Sequence, residues 1–294
     1  MSIINTIDEL EIIRPELVPN ICLKDDSSSK IPKIIHQTWK TKDVPEHWKA
    51  SHLGWIKLHP EYYYVLWTDD MNLELVKRFY HQFLDTYLNY PYNIQRVDAV
   101  RILYLHRYGG IYSDLDIEPL KDISPYLNGD NDIVLLKDIG SFGKWKDLFS
   151  NYRFFQYIEQ HARYTNMLMA SKPGSKFWKV VMKNMLNPTI PWWANIHHFY
   201  IMHTTGPFII HNSVKEYDEN LIDHFPYELF QPCTICDEKP CYTDRSYVRL
   251  LRGSSWAGIS SKIITTCACN WHLIVIVIIL VIVAIIIWFM SKNH

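Results

Sequence analysis

The sequence predicts an α/β domain tied to a single C-terminal transmembrane helix. Three observations carry this. Short apolar runs alternate with amphipathic stretches from Ile31 onward, as they do where strands and helices alternate along a chain. A glycine pair, Gly109-Gly110, separates one such helix from the strand-like segment that follows it. Finally, "LIVIVIILVIVAIIIWFM", Leu273 to Met290, contains no polar position. At helical rise that run reaches most of the way across a hydrocarbon core of roughly 30 Å, with Trp271 and Trp288 where interfacial aromatics sit.

Taken in order, residues 1–30 read as a polar, poorly ordered lead-in ending in "KDDSSSK". The domain occupies residues 31–261. "IPKIIHQTW" reads as a buried strand, and "PEHWKASHLGWIKLH" (Pro45 to His59) as a helix with proline first. "YYYVLW" reads as a second strand, and "TDDMNLELVKRFY" as a helix capped by Thr68 or Asp69. From Ile94 to Tyr108, Val97, Val100, Leu103 and Tyr104 recur at helical spacing, and the two glycines close that helix by taking the left-handed conformation. In "IYSDLDIEP", Ile111, Ser113, Leu115 and Ile117 alternate with Tyr112, Asp114, Asp116 and Glu118. One strand, ended by Pro119, is therefore expected to carry both aspartates on one face. "DIVLL" reads as a further buried strand, "NMLMASKPGSKFWKVVMKNM" as a strand or turn followed by an amphipathic helix, and the remainder to Ser261 as loop-rich. A juxtamembrane linker (262–272), the transmembrane helix (273–290) and a short tail (291–294) complete the chain.

With 294 residues, 48% of them hydrophobic, the chain can bury one sizeable core. Thirty Lys and Arg against 31 Asp and Glu give a formal net charge of -1, which offers no broad basic field and argues against nucleic acid as a partner. The N-terminus has acids within its first ten residues and no apolar h-region, so it does not read as a cleavable signal peptide. Arg249, Arg252 and Lys262 on the domain side of the apolar run outnumber Lys292 beyond it, which favours a cytosol-facing domain. No N-x-[ST] sequon is present, since Asn187-Pro188-Thr189 is blocked by its proline.

The cysteines fall into Cys22, the cluster Cys233, Cys236 and Cys241, and the juxtamembrane pair Cys267 and Cys269. The cluster suits a disulfide, free thiols, or zinc with a fourth ligand from elsewhere. The juxtamembrane pair suits reversible palmitoylation. His197, His198 and His203 lack the pairwise spacing of a helical metal site and read as core or loop histidines.

Two carboxylates at a strand end, Asp114 and Asp116, suit a hard divalent cation that completes its shell with phosphate oxygens, such as those of a nucleotide diphosphate. A bare D-x-D also occurs as two solvated strand-end carboxylates. In the preceding helix, Asp98 and Arg101 are three apart and share a face, where they form a surface ion pair worth about 0.3 kcal/mol or converge on one ligand.

The stretches "IPKIIHQTWK", "YYYVLWTDDM" and "YPYNIQRVDAVRILYLHRYGGIYSDLDIEPL" strongly resemble the family 32 glycosyltransferases. That family's D-x-x-R-x-x-x-L-x-x-x-G-G-x-Y-x-D-x-D pattern is matched by Asp98, Arg101, Leu105, Gly109, Gly110, Tyr112, Asp114 and Asp116. Within the family the chain looks most like catalytic subunits of inositol phosphoceramide mannosyltransferase. "NMLMASKPGSKFW", "TTGP" and "GSSW" extend the similarity over roughly residues 31–260.

The resemblance implies a GT-A fold (a Rossmann-like nucleotide-sugar-binding domain), a nucleotide-sugar donor and retention of anomeric configuration. The donor would be GDP-mannose or a UDP-sugar, with Mn2+ or Mg2+ as cofactor. The acceptor would be a lipid or glycan at a membrane, and a regulatory subunit is implied as a further partner. Carried over by position, Trp39 would stack on the base, a role its flat apolar face suits as well as a core position does. Asp98 and Arg101 would bind the donor sugar, with Arg101 also near the diphosphate. Asp114 would contact ribose or sugar, Asp116 would ligate the metal with Asp114 as a second contact, Asn166 would touch the sugar, and Ser255 with Trp256 would close over the diphosphate. Family members commonly place histidine shortly before the serine-tryptophan pair, whereas this chain has Arg249, Leu250, Leu251 and Arg252. Ser255 or water, Arg252, or an impaired metal site would account for the difference.

The reading is a membrane-anchored, metal-dependent hexosyltransferase of a Golgi or other secretory-pathway membrane. The alternatives are a catalytically inactive nucleotide-sugar or glycan-binding membrane protein, and a transferase using a UDP-sugar on a protein-linked glycan. A haloacid-dehalogenase aspartate motif is set aside because Glu118 follows Ile117 where Thr or Val is needed.

Overall fold

Strand β2 (Ile34–Thr38) is buried at every position, and its alternating side chains serve two different cores. A computed structural model of the chain describes residues 2–17, 31–138, 163–233, 236–237, 240–251, 253 and 257–292. Among these, seven strands form one sheet in the order β1-β3-β2-β4-β7-β6-β8. They are β1 (Ser2–Ile4), β2, β3 (Tyr63–Trp67), β4 (Gly110–Ser113), β6 (Ile133–Asp138), β7 (Arg163–Ser171) and β8 (Ile222–Phe225). The pairs β1/β3, β3/β2, β2/β4 and β6/β8 are parallel, and β4/β7 and β7/β6 antiparallel. A separate ribbon pairs β5 (Ile117–Pro119) with β9 (Val248–Leu250) in antiparallel register.

Both faces of the sheet are covered, which is why its strands read as apolar runs. One face meets a core containing Ile34, Val65, Trp67, Leu103, Tyr104 and Met169. The other meets a core containing Ile35, Tyr64, Leu66, Ile111 and Trp55. The helices are α1 (Ile7–Leu17), α2 (Lys49–Leu58), α3 (Asp69–Phe79), α4 (His81–Asn89), α5 (Asn93–Tyr108), α6 (Lys176–Leu186), α7 (His197–Thr204), α8 (Pro207–Glu216), α9 (Tyr227–Phe230), α10 (Ile259–Cys269) and α11 (Trp271–Lys292). Thr68 caps α3 by accepting from the Met71 amide.

Four expectations change. The expected lead-in holds β1 and α1: Ile4, Ile7 and Leu10 are buried in the main core, and Arg107 on α5 forks onto Glu11. Its short apolar positions gain their order from β3 and α5 and give no strong local signal; residues 18–30 lie outside the described residues. "IYSDLDIEP" is two strands. The chain leaves the main sheet after Ser113, turns at Asp114 with the Ile117 amide donating to the Asp114 carbonyl (3.1 Å), and enters the ribbon. Beyond Leu186 the chain forms α7, α8, β8 and β9, which the sequence gives as loops. At the end of the domain, α10 starts inside it, with Ser261 buried, and replaces part of the expected linker.

Candidate active site

In the parallel half of the sheet, β3 lies on one side of β2 and β4 on the other. The order of connection therefore reverses between the parallel strands β2 and β4, and the crevice at the carboxyl ends of those two strands is where open α/β sheets bind ligands. Trp39 follows β2 and Asp114 follows β4. Sharp backbone geometry delivers the second strand to that point. Gly109 and Gly110 adopt φ of +65° and +90°, and a Cβ on Gly110 would stand 2.5 Å from the Ile34 carbonyl oxygen, so only glycine fits. His36 fixes this turn. Its Nδ1 accepts from Trp67 Nε1 (3.0 Å), leaving Nε2–H to donate to the Gly109 carbonyl (2.9 Å). Burial lowers its pKa to about 4, so the ring is neutral.

Helix α5 brings Asp98 and Arg101 to the same place, and neither is at the surface. Arg101 Nη2 lies 3.1 Å from Asp98 Oδ1, with side-chain exposures of 4% and 7%. Nη1 donates to the Asn166 carbonyl (2.9 Å) and lies 3.3 Å from Asp114 Oδ1. Asp98 also accepts from Asn166 Nδ2 (3.1 Å) and from Thr205 Oγ1 (3.2 Å). Tyr112 donates its hydroxyl to Asp114 Oδ1 (2.6 Å), and its ring faces the Arg101 guanidinium. The pair is thus the centre of a buried network, unlike an exposed i,i+3 bridge.

Desolvation pushes the Asp98 carboxyl up to about 6, against the Arg101 charge and with some help from Asp114. Asp114 is raised by the same burial, opposed by Arg101 and the Tyr112 hydroxyl. Burial disfavours the Arg101 charge, but the carboxylates of Asp114 and Asp98 outweigh it, and the guanidinium stays charged.

The D-x-D turn is clamped from beneath. Gln37 Nε2 donates to the Asp114 carbonyl (3.2 Å), and Tyr64 donates to Gln37 Oε1 (2.7 Å). Ser51 Oγ and Trp55 Nε1 both donate to the Ile117 carbonyl (2.5 and 3.1 Å). From above, the Leu251 amide at the end of the β5/β9 ribbon donates to the Asp116 carbonyl (2.8 Å). A Cβ on Gly253 would fall 1.7 Å from Asp116 Oδ2, so the glycine leaves the room this carboxylate occupies.

The implied divalent cation fits this donor set. One oxygen of Asp114 is taken by Arg101 and Tyr112, and among the described residues no cluster of three or more His, Cys, Asp or Glu could hold a metal. A site of one or two carboxylates is what Mg2+ or Mn2+ uses when phosphate oxygens complete the shell. Arg249, where the family has histidine nearby, forks onto Glu118 across the ribbon at 2.8 and 2.5 Å. Sequence reasoning missed Gln37, Thr205 and Gly253. All three lie in the family-like stretches "IPKIIHQTWK", "TTGP" and "GSSW", but their partners are far away in the chain. Trp39 packs edge-on against Trp48 and keeps part of its surface open. Ser255, Trp256, Arg252 and Cys22 lie outside the described residues.

The cysteine cluster does not form a zinc site: Cys233 bonds Cys241, and Cys236 bonds Cys269. Cys269 is therefore no palmitoylation site, while Cys267 is a free, exposed thiol.

A buried Asp–Arg pair beside a D-x-D turn at a sheet switch point is the equipment of a nucleotide-sugar glycosyltransferase. Residues 45–154 match the family model "Glycosyltransferase sugar-binding region containing DXD motif". The mannosyl phosphorylinositol ceramide synthase SUR1 of Saccharomyces cerevisiae is 30% identical over 98% of this chain and 72% of its own length. Inositol phosphoceramide mannosyltransferase 3 of Schizosaccharomyces pombe is 34% identical over 68% of this chain and 49% of its own. Of solved structures, the PaToxG glycosyltransferase superposes with a TM-score of 0.41 at 16% identity, over 65% of this chain and 73% of that one. The chain belongs to the DXD-motif glycosyltransferase family of these two yeast proteins.

Proposed function

We propose that this glycosyltransferase is anchored in a membrane, depends on a divalent metal and transfers mannose from GDP-mannose, with retention, to an inositol-containing sphingolipid. The carrying observation is the network in which Asp98, Arg101 and Asp114 meet the D-x-D turn at the ends of β2 and β4. By their names one yeast relative is a mannosyl phosphorylinositol ceramide synthase and the other an inositol phosphoceramide mannosyltransferase, which supports the acceptor class. Within α11 the stretch Val275–Lys292, wholly outside the core, is long and apolar enough to cross a membrane.

In this reading Trp39 offers a stacking face to the base. Asp98 accepts from donor sugar hydroxyls, and Asn166 and Thr205 hold it in position from behind. Arg101, with its Nη1 and Nη2 groups engaged by protein oxygens, orients both carboxylates and places fixed positive charge beneath the departing diphosphate. Asp116, with Asp114, would hold Mn2+ or Mg2+, which when bound supplies further charge against that diphosphate. Ser255 and Trp256 are proposed to close over the donor.

The two disulfides support a domain on the lumenal side of a secretory-pathway membrane such as the Golgi, where disulfides persist. This goes against the loop-charge bias, which is only three residues to one. The test is a donor panel with the detergent-solubilised full chain and Mn2+ or Mg2+, with inositol phosphoceramide as acceptor. GDP-mannose turnover to a mannosylated lipid is expected. Donor binding without turnover across the panel, or turnover of UDP-sugars alone, contradicts it.

A further inference from the structure

From Asn184 to Val214 there is no Asp, Glu, Lys or Arg, in a chain that is 21% charged. Between Gly253 and Ser291 the only such residue is Lys262. The fold joins these two uncharged segments. His198 Nδ1 on α7 lies 3.0 Å from Ser261 Oγ on α10, and a Cβ on Gly258 would meet the His197 ring at 3.6 Å. Immediately before α7, Trp192 is 87% exposed, Trp193 48% and Ile196 51%. On α10, Ile259 and Ile263 are 81% and 58% exposed and, four residues apart, share a face.

We infer that the Trp192–Ile196 turn and the Ile259/Ile263 face of α10 form a membrane-contact surface, seated in the interfacial layer of the bilayer that α11 crosses. Tryptophan is enriched at that depth, and a face with a single formal charge has little to desolvate there. Continuity with the span supports the occupant. The last residue of α10, Cys269, is bonded to Cys236 of the domain, and α11 begins at Trp271 after a break in the helix at Asn270. The bilayer entry point is therefore held beside this face.

The surface is also coupled to the site. α7 has eight residues, about 12 Å of helix, with His197 and His198 at the α10 end and Thr205, the donor to Asp98, just past the other. A lipid head group at the bilayer surface then lies about one short helix from the sugar-binding carboxylate. The inference rests on reading α11 as a membrane span and the acceptor as a lipid.

A nitroxide at Trp192→Cys tests it, in full-length protein with Cys22→Ser and Cys267→Ser reconstituted in phosphatidylcholine nanodiscs. The control label is Ile12→Cys on α1, which packs at the opposite end of α5 from Tyr92, the contact of His197. Oxygen is expected to outcompete a water-soluble nickel complex at position 192 and not at position 12. Equal aqueous access at both positions overturns the inference, as does shielding of position 192 from both reagents, the pattern of a protein partner. Independently, Trp192→Glu with Ile259→Glu, two positions that carry little packing, is expected to lower transfer to a bilayer-held acceptor about tenfold while donor hydrolysis stays within about twofold. Unchanged bilayer transfer, or hydrolysis falling in parallel, contradicts it. If the wild-type chain shows no turnover the proposed reaction fails, and the nitroxide result alone decides the membrane contact.

Discussion

Asp98 and Arg101 form an ion pair at 3.1 Å in which both side chains are almost fully withdrawn from water. Removing one member of such a pair leaves a buried, uncompensated charge. Arg101→Met strands Asp98 and Asp114 together and is expected to cost about 3–5 kcal/mol of stability, read as a lower melting temperature. Asp98→Asn keeps the shape and most hydrogen bonds, so it is expected to melt nearer wild type while losing donor turnover. Equal melting temperatures for wild type and Arg101→Met would remove the network from this account.

The Asp98 carboxyl, held at about 6 by burial, sets a pH dependence. As an acceptor for sugar hydroxyls it must be ionised, so kcat/KM for the donor is expected to fall as pH drops below about 6. The stability effect has the opposite sign. The folded state binds this proton more tightly than the unfolded one, so the contribution is full below about 4 and is lost as pH rises through about 6. A pH–rate profile flat from pH 7 to pH 5 would contradict the assignment.

Gly110 is the backbone hinge of the site. With φ of +90° and a would-be Cβ 2.5 Å from the Ile34 carbonyl, Gly110→Ala has neither the conformation nor the room. It is expected to destabilise the fold by more than about 1 kcal/mol and to shift Asp114, lowering turnover. A thermal melt and a turnover assay of this variant, both matching wild type, would show that the turn tolerates a side chain.

The cysteine pairing has a direct readout. Cys236→Ser with Cys269→Ser opens a loop of 33 residues and is expected to cost about 3 kcal/mol. Peptide mapping under non-reducing conditions is expected to recover Cys233–Cys241 and Cys236–Cys269 as linked fragments. Four free thiols at these positions would return the domain to a reducing compartment.

Much of the parallel half of the sheet was legible because its determinants are local. Thr68 caps α3, the glycine pair ends α5, and β2 and β3 are buried on both faces, with apolar runs at Ile34-Ile35 and along β3. Asp98, Arg101 and Asp114 were legible as residues but not as a buried network, since i,i+3 spacing is the same on a wet face and a dry one. The break within "IYSDLDIEP" was hidden because alternation continues across the turn, and only the pairing with Val248–Leu250 divides it. Likewise β1 and α1 owe their order to β3 and to Arg107: Tyr63 lies 61 residues beyond its partner Ser2, and Arg107 lies 96 beyond its partner Glu11. α7 escaped notice because a segment without charges gives a helix no charged face to declare it, and α8 carries charge only at its end, on Lys215 and Glu216.

In the proposed function the D-x-D turn is the working end of a metal-dependent sugar transferase. The most direct measurement is Mn2+-dependent turnover of GDP-mannose by wild type and by Asp116→Asn, with melting curves for both. Asp116 is half-buried in the turn against Gly253, and the isosteric amide keeps its shape, so Asp116→Asn is expected to stay folded and to reduce turnover by about 100-fold or more. Turnover by Asp116→Asn at the wild-type rate would contradict it.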